Sequence, residues 1–335
     1  MDLNFMIGPL IGQLSTNGTL LRSPFRFRFV SFWLMQTTSP PTNFAAPVFL
    51  PAPRLQTIVD SAVQKALAQF APLHLQADQL AVTLVDLHDL NRPERASYRG
   101  TERIYPASVV KSFYLMAAHR WMEDGRLADT EELRRALRDM IVDSFNEPTG
   151  YVLDLLTGTT SGPELSPAEF AAWFEKRNTV NRYFISLGYE NINLNRKTWC
   201  EGPYGREKQL ANQPPPDHRN WLTTDATARL FTDIVTGRAV TSERSRQMLE
   251  LHARQPFDPE GNGQSREYTG AVLPSGTKLW SKAGWMSEVR HDAAYVELPT
   301  GEKFILATFT VGHSKDKEII PAVAKTIIEG LRAGQ

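Results

Sequence analysis

Tyr105-Pro106-Ala107-Ser108-Val109-Val110-Lys111 places a serine one helical turn before a lysine, where a loop ends and a helix begins. Positions i and i+3 lie on the same helix face, so we expect Lys111 Nζ to reach Ser108 Oγ. A serine hydroxyl becomes a good nucleophile when a neighbouring base accepts its proton. A lysine among apolar residues can have a lowered pKa and act as that base. This stretch therefore predicts a nucleophile and its base at the start of a helix.

An apolar run separates this tetrad from the chain's two other Ser-x-x-Lys sequences, which begin at Ser275 and Ser314. Eight of the ten residues 113–122 are apolar, a pattern that predicts a central, buried helix. The other two tetrads fall in a strand-like run and in a charged loop. Taken alone, Ser108 could still be an ordinary serine at a helix start. The prediction therefore depends on partners elsewhere in the chain.

The composition is that of a soluble globular protein, with 41% hydrophobic and 22% charged residues among 335. This length favours about two domains or subdomains. Thirty-seven basic residues balance 37 acidic ones, so nothing indicates a nucleic-acid partner. The seven histidines lack metal-ligand spacing, and Cys200 is the only cysteine. We therefore expect no metal, no cofactor and no internal disulfide.

The N-terminal segment has an ambiguous role. Three arginines precede the short apolar run Phe29–Met35, and small residues follow near Ala45-Ala46, which resembles a poor export signal. A disordered leader and a true start at Met35 are the alternatives. No apolar run approaches the roughly 18 residues of a transmembrane helix. We interpret residues 1–50 as a disordered leader.

Hydrophobic periodicity predicts helices at both ends of the remaining chain, Arg54–Phe70 and Lys317–Leu331. The predicted strands are Leu80–Leu87, Ala96–Ile104, Lys278–Lys282, Asp292–Leu298 and Lys303–Val311. Strands thus come from both ends of the chain, and helices fill the middle. We predict an α+β fold: an antiparallel sheet of about five strands, flanked by N- and C-terminal helices, with an inserted all-helical subdomain. Residues 51–103 plus 275–335 would form the α/β subdomain and residues 104–274 the helical one, with Ser108 at their seam.

Three further sequences gain meaning in this arrangement. Ser144-Phe145-Asn146 breaks a helix and would offer a hydroxyl and a carboxamide near Ser108. Ser281-Lys282-Ala283-Gly284-Trp285 ends a strand and would supply a positive charge and a close backbone approach at its glycine. Arg290-His291-Asp292 opens the next strand and favours a salt-bridge or hydrogen-bond cluster over a triad fragment. Each sequence has an ordinary structural interpretation, but their order on helix, loop and strand is specific.

From about Leu80 to Leu331, the chain resembles the class A β-lactamase and penicillin-binding-protein superfamily of serine hydrolases. The Ser108–Lys111 tetrad resembles its Ser-x-x-Lys motif. Ser144-Phe145-Asn146 resembles its Ser-Asp-Asn motif, and Lys282-Ala283-Gly284 resembles its Lys-Thr-Gly motif. The resemblance implies that Ser108 is the nucleophile, Lys111 its base and Ser144 a proton relay to the leaving nitrogen. Lys282 would hold Ser144 and the anionic end of the substrate. Substrate binding would also involve Asn146, Ala283, Gly284 and Trp285, with the backbone N–H groups of Ser108 and Trp285 as the oxyanion hole.

The chain departs from the family pattern at several positions. Ser144 follows Ser108 by only 36 residues, which indicates a shortened helical segment. Phe145 replaces the usual aspartate, and Ala283 replaces a threonine whose hydroxyl would bind a carboxylate.

The omega loop also departs from the pattern. Thr198 stands where the family has the glutamate that activates the deacylating water. Glu201 and Glu207 are nearby candidates, although exposed loop acids are the expected interpretation of both.

The resulting prediction is a serine hydrolase that forms an acyl-enzyme at Ser108, most simply a β-lactamase-like enzyme acting on a cyclic amide. A penicillin-binding-type peptidase, an amidase or an esterase is the alternative enzyme. A degenerate peptidoglycan-binding module without turnover is the alternative from another class. We expect a small-molecule substrate, no stable membrane span and a monomer. The family resemblance implies an exported or periplasmic protein.

Overall fold

One sheet joins the two ends of the chain in the computed structural model, which describes residues 46–199, 202–215, 218–257 and 263–333. Its strands are β1 (Leu50–Pro51), β2 (Leu80–Asp86), β3 (Glu94–Tyr98), β4 (Ala253–Arg254), β5 (Lys278–Met286), β6 (Val289–Glu297) and β7 (Lys303–Val311). They follow the order β1-β3-β2-β7-β6-β5-β4. All neighbouring strands are antiparallel except β1 and β3. The predicted α+β architecture is confirmed.

Within the described ranges the sheet has seven strands rather than the predicted five. The additional strands β1 and β4 have two residues each, too few to show an alternating pattern. β1 begins at Leu50, so the predicted leader ends inside a strand; residues 1–45 lie outside the described part of the chain. β4 belongs to the segment predicted to be all-helical and pairs with Leu279 and Trp280.

Two terminal helices cover one face of the sheet. They are α1 (Pro53–Gln69) and α10 (Ile319–Ala333). Leu55 and Ile327 belong to the apolar core that these helices form with the sheet. Pro321 falls in the first turn of α10, where its missing N–H removes no helical hydrogen bond. Both terminal helices are therefore present as predicted.

The remaining helices lie between β3 and β5 in sequence. They are α2 (Val110–Glu123), α3 (Glu131–Arg138), α4 (Asn146–Thr157), α5 (Pro167–Arg177), α6 (Thr179–Ser186), α7 (Gly205–Ala211), α8 (Thr224–Val235) and α9 (Ser242–His252). Every residue of α2 except Arg120 and Glu123 is buried. Its apolar side chains pack with Ala81, Ala293 and Ile305 of the sheet. The predicted central helix thus carries the residues that follow Ser108.

No helix in the described ranges is long and apolar enough to cross a bilayer. The same ranges contain no group of three or more His, Cys, Asp or Glu side chains placed to hold a metal ion.

Candidate active site

Ser108 lies in a 3₁₀ turn, Ala107–Val109, that leads directly into α2. Ala107 has a φ of +44°, in the left-handed region that a Cβ atom makes unfavourable. Such strain persists only where the surrounding packing enforces it, and it is concentrated at functional sites. The Ser108 side chain is half-buried. The turn therefore presents this hydroxyl in a constrained position.

Lys111 is fully buried in the first turn of α2. Its Nζ lies 2.5 Å from the Ser144 carbonyl oxygen, 2.9 Å from Asn146 Oδ1 and 3.3 Å from Ser144 Oγ. The amine therefore contacts Ser144 and Asn146 at the start of α4, and the contact of Lys111 Nζ with Ser108 Oγ stays a prediction. Catalytic hydrogen bonds are often long in the absence of substrate. The structure nevertheless brings Lys111, Ser144 and Asn146 together.

A π-helical turn, Asp139–Asp143, positions Ser144. The backbone N–H of Phe145 donates to the Asp139 carbonyl oxygen and closes this turn. Ser144 then adopts a φ of +61°, which interrupts the helical path between α3 and α4. Ser144 and Asn146 contact Lys111, whereas the Phe145 side chain is 55% exposed. The helix break predicted at Ser144-Phe145-Asn146 is present.

Lys282 is fully buried within β5 and reaches Ser144 from the sheet side. Its Nζ lies 2.9 Å from Ser144 Oγ and 2.8 Å from the carbonyl oxygen of Ala283. Burial holds the pKa of Lys282 well below its ordinary value, and the positive charges of Lys111 and Arg254 lower it further. The Ser144 hydroxyl therefore lies between two buried amines.

Gln264 completes this network, although sequence reasoning did not identify it. Its Oε1 accepts a hydrogen bond from Lys282 Nζ at 2.6 Å, and its Nε2 donates to the Val142 carbonyl oxygen at 2.7 Å. One side chain thus connects β5 with the turn that positions Ser144. A single glutamine in a glycine-containing loop carries no recognisable pattern, so only its spatial contact with Lys282 reveals it.

The backbone of β5 approaches the Ser108 turn, Ala107–Val109, at Gly284. A methyl group added there would lie 2.7 Å from the Pro106 carbonyl oxygen and 3.1 Å from the Ser108 nitrogen. A Cβ atom could not occupy this space without moving the backbone, so the close approach depends on glycine, as predicted. Ala283 is buried beside it, whereas Trp285 is 59% exposed.

Arg290-His291-Asp292 forms an ion pair and hydrogen bonds, one of which is to Tyr105 in the segment that leads to the Ser108 turn. Arg290 pairs with Glu267 at 2.9 Å. His291 Nε2 donates to the Tyr105 carbonyl oxygen at 2.8 Å, and Nδ1 accepts from the backbone N–H of Thr310 at 3.2 Å. Burial lowers the pKa of His291 to about 4, so the ring is neutral. These contacts match the cluster that the sequence favours over a triad.

Most of the chain matches the model of a known protein family. The profile of the Beta-lactamase enzyme family matches residues 62–331. The chain belongs to this β-lactamase family. Among curated proteins, none matches the chain.

Solved structures of β-lactamase-family proteins share the fold at low identity. A β-lactamase from Sphaerobacter thermophilus is 20% identical, with a TM-score of 0.60 over 83% of this chain and 98% of that one. PBP-A is 17% identical, with a TM-score of 0.58 over 86% and 100%. The TLA-1 extended-spectrum β-lactamase is 14% identical, with a TM-score of 0.60 over 82% and 99%.

In this member of the β-lactamase family, Glu207 is not the exposed loop acid that the sequence predicts. It lies in α7 and is fully buried, with its Oε1 2.6 Å from Arg177 Nη2. The buried guanidinium explains why this carboxylate leaves the surface. Thr198 lines a cavity next to Asn146. Glu201 lies outside the described residues.

Proposed function

We propose that this protein is a serine hydrolase that forms an acyl-enzyme at Ser108, most simply by opening a cyclic amide as β-lactamases do. The observation that carries the proposal is the hydrogen-bonded chain Lys111–Ser144–Lys282. Its two lysines belong to α2, which follows the Ser108 turn, and to β5, whose Gly284 approaches that turn. Acyl transfer by serine needs a nucleophile, a base and an acid that protonates the leaving group. These three side chains, together with Ser108, supply each role.

Acylation would begin when Ser108 Oγ attacks the carbonyl carbon and neutral Lys111 accepts the hydroxyl proton. The carbon–nitrogen bond of the tetrahedral intermediate then breaks, and the Ser144 hydroxyl donates its proton to the leaving nitrogen. Lys111 returns its proton to Ser144, across a distance of 3.3 Å between Nζ and Oγ. One proton thus moves from Ser108 to the leaving nitrogen, and both amines end as they began.

The two buried amines make a neutral base accessible. Both ammonium groups would contact the same hydroxyl of Ser144, so their positive charges repel each other. The charge on Lys111 contributes to the lowered pKa of Lys282. This repulsion disfavours double protonation. The proposal requires that the one remaining proton reside on Lys282, because a general base such as Lys111 must be neutral before it accepts a proton.

Charge that develops on the carbonyl oxygen would be stabilised by backbone N–H groups of Ser108 and Trp285. The approach of β5 to the turn at Gly284 supports this pairing. Lys282 would attract the anionic end of the substrate. Because Ala283 has no hydroxyl, this end would bind with one hydrogen bond fewer than in relatives with threonine there.

Hydrolysis of the acyl-enzyme needs an activated water. Glu207 is poorly placed for this role because it is held in a buried pair with Arg177, and breaking such a pair is unfavourable. Glu201 is the remaining candidate on this loop. A peptidase, amidase or esterase that activates water through Ser144 and Lys282 is the second proposal, and the fold shared with PBP-A is consistent with it.

Intact-protein mass spectrometry after incubation with benzylpenicillin tests the proposal. We expect one acyl adduct on the wild-type protein and none on Ser108→Ala. Rapid nitrocefin hydrolysis without a persistent adduct supports the lactamase, and a long-lived adduct supports the penicillin-binding-type enzyme. A wild-type protein that no cyclic amide, ester or peptide donor acylates would support the binding module instead.

A further inference from the structure

A buried arginine, Arg254, lies next to the segment that positions Ser144. It belongs to β4, which pairs with β5, and it is 7% exposed. Its guanidinium donates to three backbone carbonyl oxygens: Nη2 to Ile141 at 3.0 Å, and Nη1 to Ala253 at 3.3 Å and Leu251 at 3.4 Å. A buried cation is costly unless it is paired as well as hydrogen-bonded, and these three acceptors are neutral. Packing alone would favour an apolar side chain at this position.

The Ile141 carbonyl oxygen connects Arg254 with the segment before Ser144. It belongs to the π-helical turn that positions this serine, and carbonyl groups at the end of a helical segment lack intrahelical donors. Two side chains donate to it, Arg254 through Nη2 at 3.0 Å and Gln264 through Nε2 at 3.4 Å. Gln264 also accepts a hydrogen bond from Lys282 Nζ at 2.6 Å. Arg254 from β4 and, through Gln264, Lys282 from β5 therefore act on the same turn.

The charge of Arg254 also acts on Lys282. Burial lowers the pKa of Arg254 only to about 10, so its guanidinium stays charged at neutral pH. Burial is the main cause of the lowered pKa of Lys282; Lys111 of α2 and Arg254 of β4 lower it further, and Asp292 of β6 opposes them. His252 of α9 is neutral, because burial lowers its pKa to about 3. Removal of the guanidinium charge would therefore make Lys282 easier to protonate.

We propose that Arg254 is a positioning residue for acyl transfer, because its guanidinium holds the turn that presents Ser144 to Lys111 and Lys282. The inference rests on the proposed function and adds a side chain that touches none of the reacting atoms. Ser144 Oγ has to lie within hydrogen-bond distance of both amines for its proton to move, and its distances of 3.3 Å and 2.9 Å leave little room for displacement. Loss of the bond between Arg254 and Ile141 would release one side of this turn. Arg254 thus affects the rate through Ser144 and the pH dependence through Lys282.

Arg254→Met removes both the hydrogen bonds and the charge of this side chain. We expect the second-order rate constant for acylation by benzylpenicillin to fall about tenfold at neutral pH. Its alkaline decline should move upward by about half a pH unit or more, because Lys282 keeps its proton to higher pH. Arg254→Lys, which keeps a charged donor, should recover most of the rate at neutral pH. Arg246→Met is the matched control, because this arginine of α9 is exposed, and it should match the wild type in both measurements.

The pH of the alkaline decline distinguishes positioning from a purely structural role. A lower rate with an unmoved decline, or a wild-type rate in Arg254→Met, would overturn the inference. If circular dichroism shows that Arg254→Met is unfolded, Arg254→Gln takes its place in both measurements, because its amide is polar but uncharged.

Titration of the Lys282 side chain by NMR, in protein labelled at lysine Cε, separates this inference from the proposed function. Lys282→Met identifies the resonance, and the pKa of Lys282 should be higher in Arg254→Met than in the wild type. If benzylpenicillin fails to acylate the wild type but this difference in pKa is observed, the acyl-transfer proposal fails and the action of Arg254 on Lys282 stands. If benzylpenicillin acylates Ser108 equally fast in both proteins, the function stands and the role of Arg254 is refuted.

Discussion

Lys282 links the chemistry of the cleft to pH. Its three acceptors, Ser144 Oγ, Gln264 Oε1 and the Ala283 carbonyl oxygen, are uncharged. Neutral dipoles stabilise a buried ammonium less than a neighbouring carboxylate would. Burial therefore lowers the pKa of Lys282 well below its ordinary value of 10.5. As the pH rises through this lowered pKa, Lys282 loses its proton and its attraction for an anionic donor. Acylation by a penicillin should therefore decline at a lower pH than an ordinary lysine would produce.

Substitution of Gln264 should shift this alkaline decline. Gln264→Glu places a carboxylate beside the Lys282 amine and raises its pKa, so the decline should move upward by about one pH unit or more. Gln264→Leu removes the acceptor and should move it downward. The measurement is the second-order acylation rate constant for benzylpenicillin from neutral to alkaline pH. Coincident profiles for the two variants would show that Gln264 does not act through Lys282.

Among the structural elements, β5 and the Ser108 turn approach each other closely. Their contact at Gly284 leaves no room for a side chain, because an added methyl group would meet backbone atoms rather than a movable side chain. α5 and α7 show a second kind of contact, in which Arg177 and Glu207 pair with both side chains fully buried. Each contact predicts a different consequence of mutation.

Gly284→Ala should separate β5 from the turn and displace Ser108. A misplacement of about 1 Å costs roughly 100-fold in rate when the reacting atoms are held by geometry. We expect a loss of this order in acylation by benzylpenicillin, with a folded protein by circular dichroism. Gly202→Ala is the control, because an added methyl group there meets nothing within 4 Å. An equal rate for Gly284→Ala and wild type would contradict the close approach.

Glu207→Gln should destabilise the whole protein. The substitution leaves the buried Arg177 guanidinium without its nearest carboxylate, and loss of one partner of a buried pair costs about 3–5 kcal/mol. Urea unfolding should show this decrease in the free energy of unfolding. The double variant Arg177→Met/Glu207→Leu should recover most of it, since neither charge then remains buried. Wild-type stability of the single variant would indicate an exposed carboxylate.

For the molecule as a whole, long elements could be predicted from the sequence and short-range spatial pairings could not. Periodicity located β2 and the buried helix α2, because each has enough residues to repeat a pattern. The two residues of β4 have no pattern to repeat, and they form a strand only because β5 lies beside them. Gln264 and Glu207 acquire their partners through tertiary contacts between distant segments, which no single stretch encodes.

Buried histidines should make the folded protein sensitive to acid. Burial lowers the pKa of His119 to about 4, of His252 to about 3 and of His291 to about 4. Below pH 6.5 the unfolded chain binds protons at these rings and the folded chain does not. The free energy of unfolding therefore decreases as the pH is lowered. Asp233 and Asp292 act oppositely, because burial raises their pKa to about 6. The three histidines outweigh these two carboxyl groups, so we expect the free energy of unfolding to decrease between pH 7 and 4.

Urea unfolding at a series of pH values measures this loss. His119→Leu provides a specific test, because neither ring nitrogen of His119 has a hydrogen-bond partner among the described residues. The variant should lower the dependence of unfolding free energy on pH by about 1 kcal/mol per pH unit between pH 6.5 and 4. An unchanged slope would show that His119 titrates normally.

The shortness of β4 leaves part of its neighbour accessible. β4 pairs only with Leu279 and Trp280, so no described strand covers the outer edge of β5 from Ser281 to Met286. Unpaired N–H and C=O groups at a sheet edge accept an extended peptide as an additional strand. A linear amide aligned in this way would pass Gly284, and thus the serine, in a defined register. If the proposed acyl transfer is correct, the same cleft would accept an extended polypeptide backbone as well as a cyclic amide.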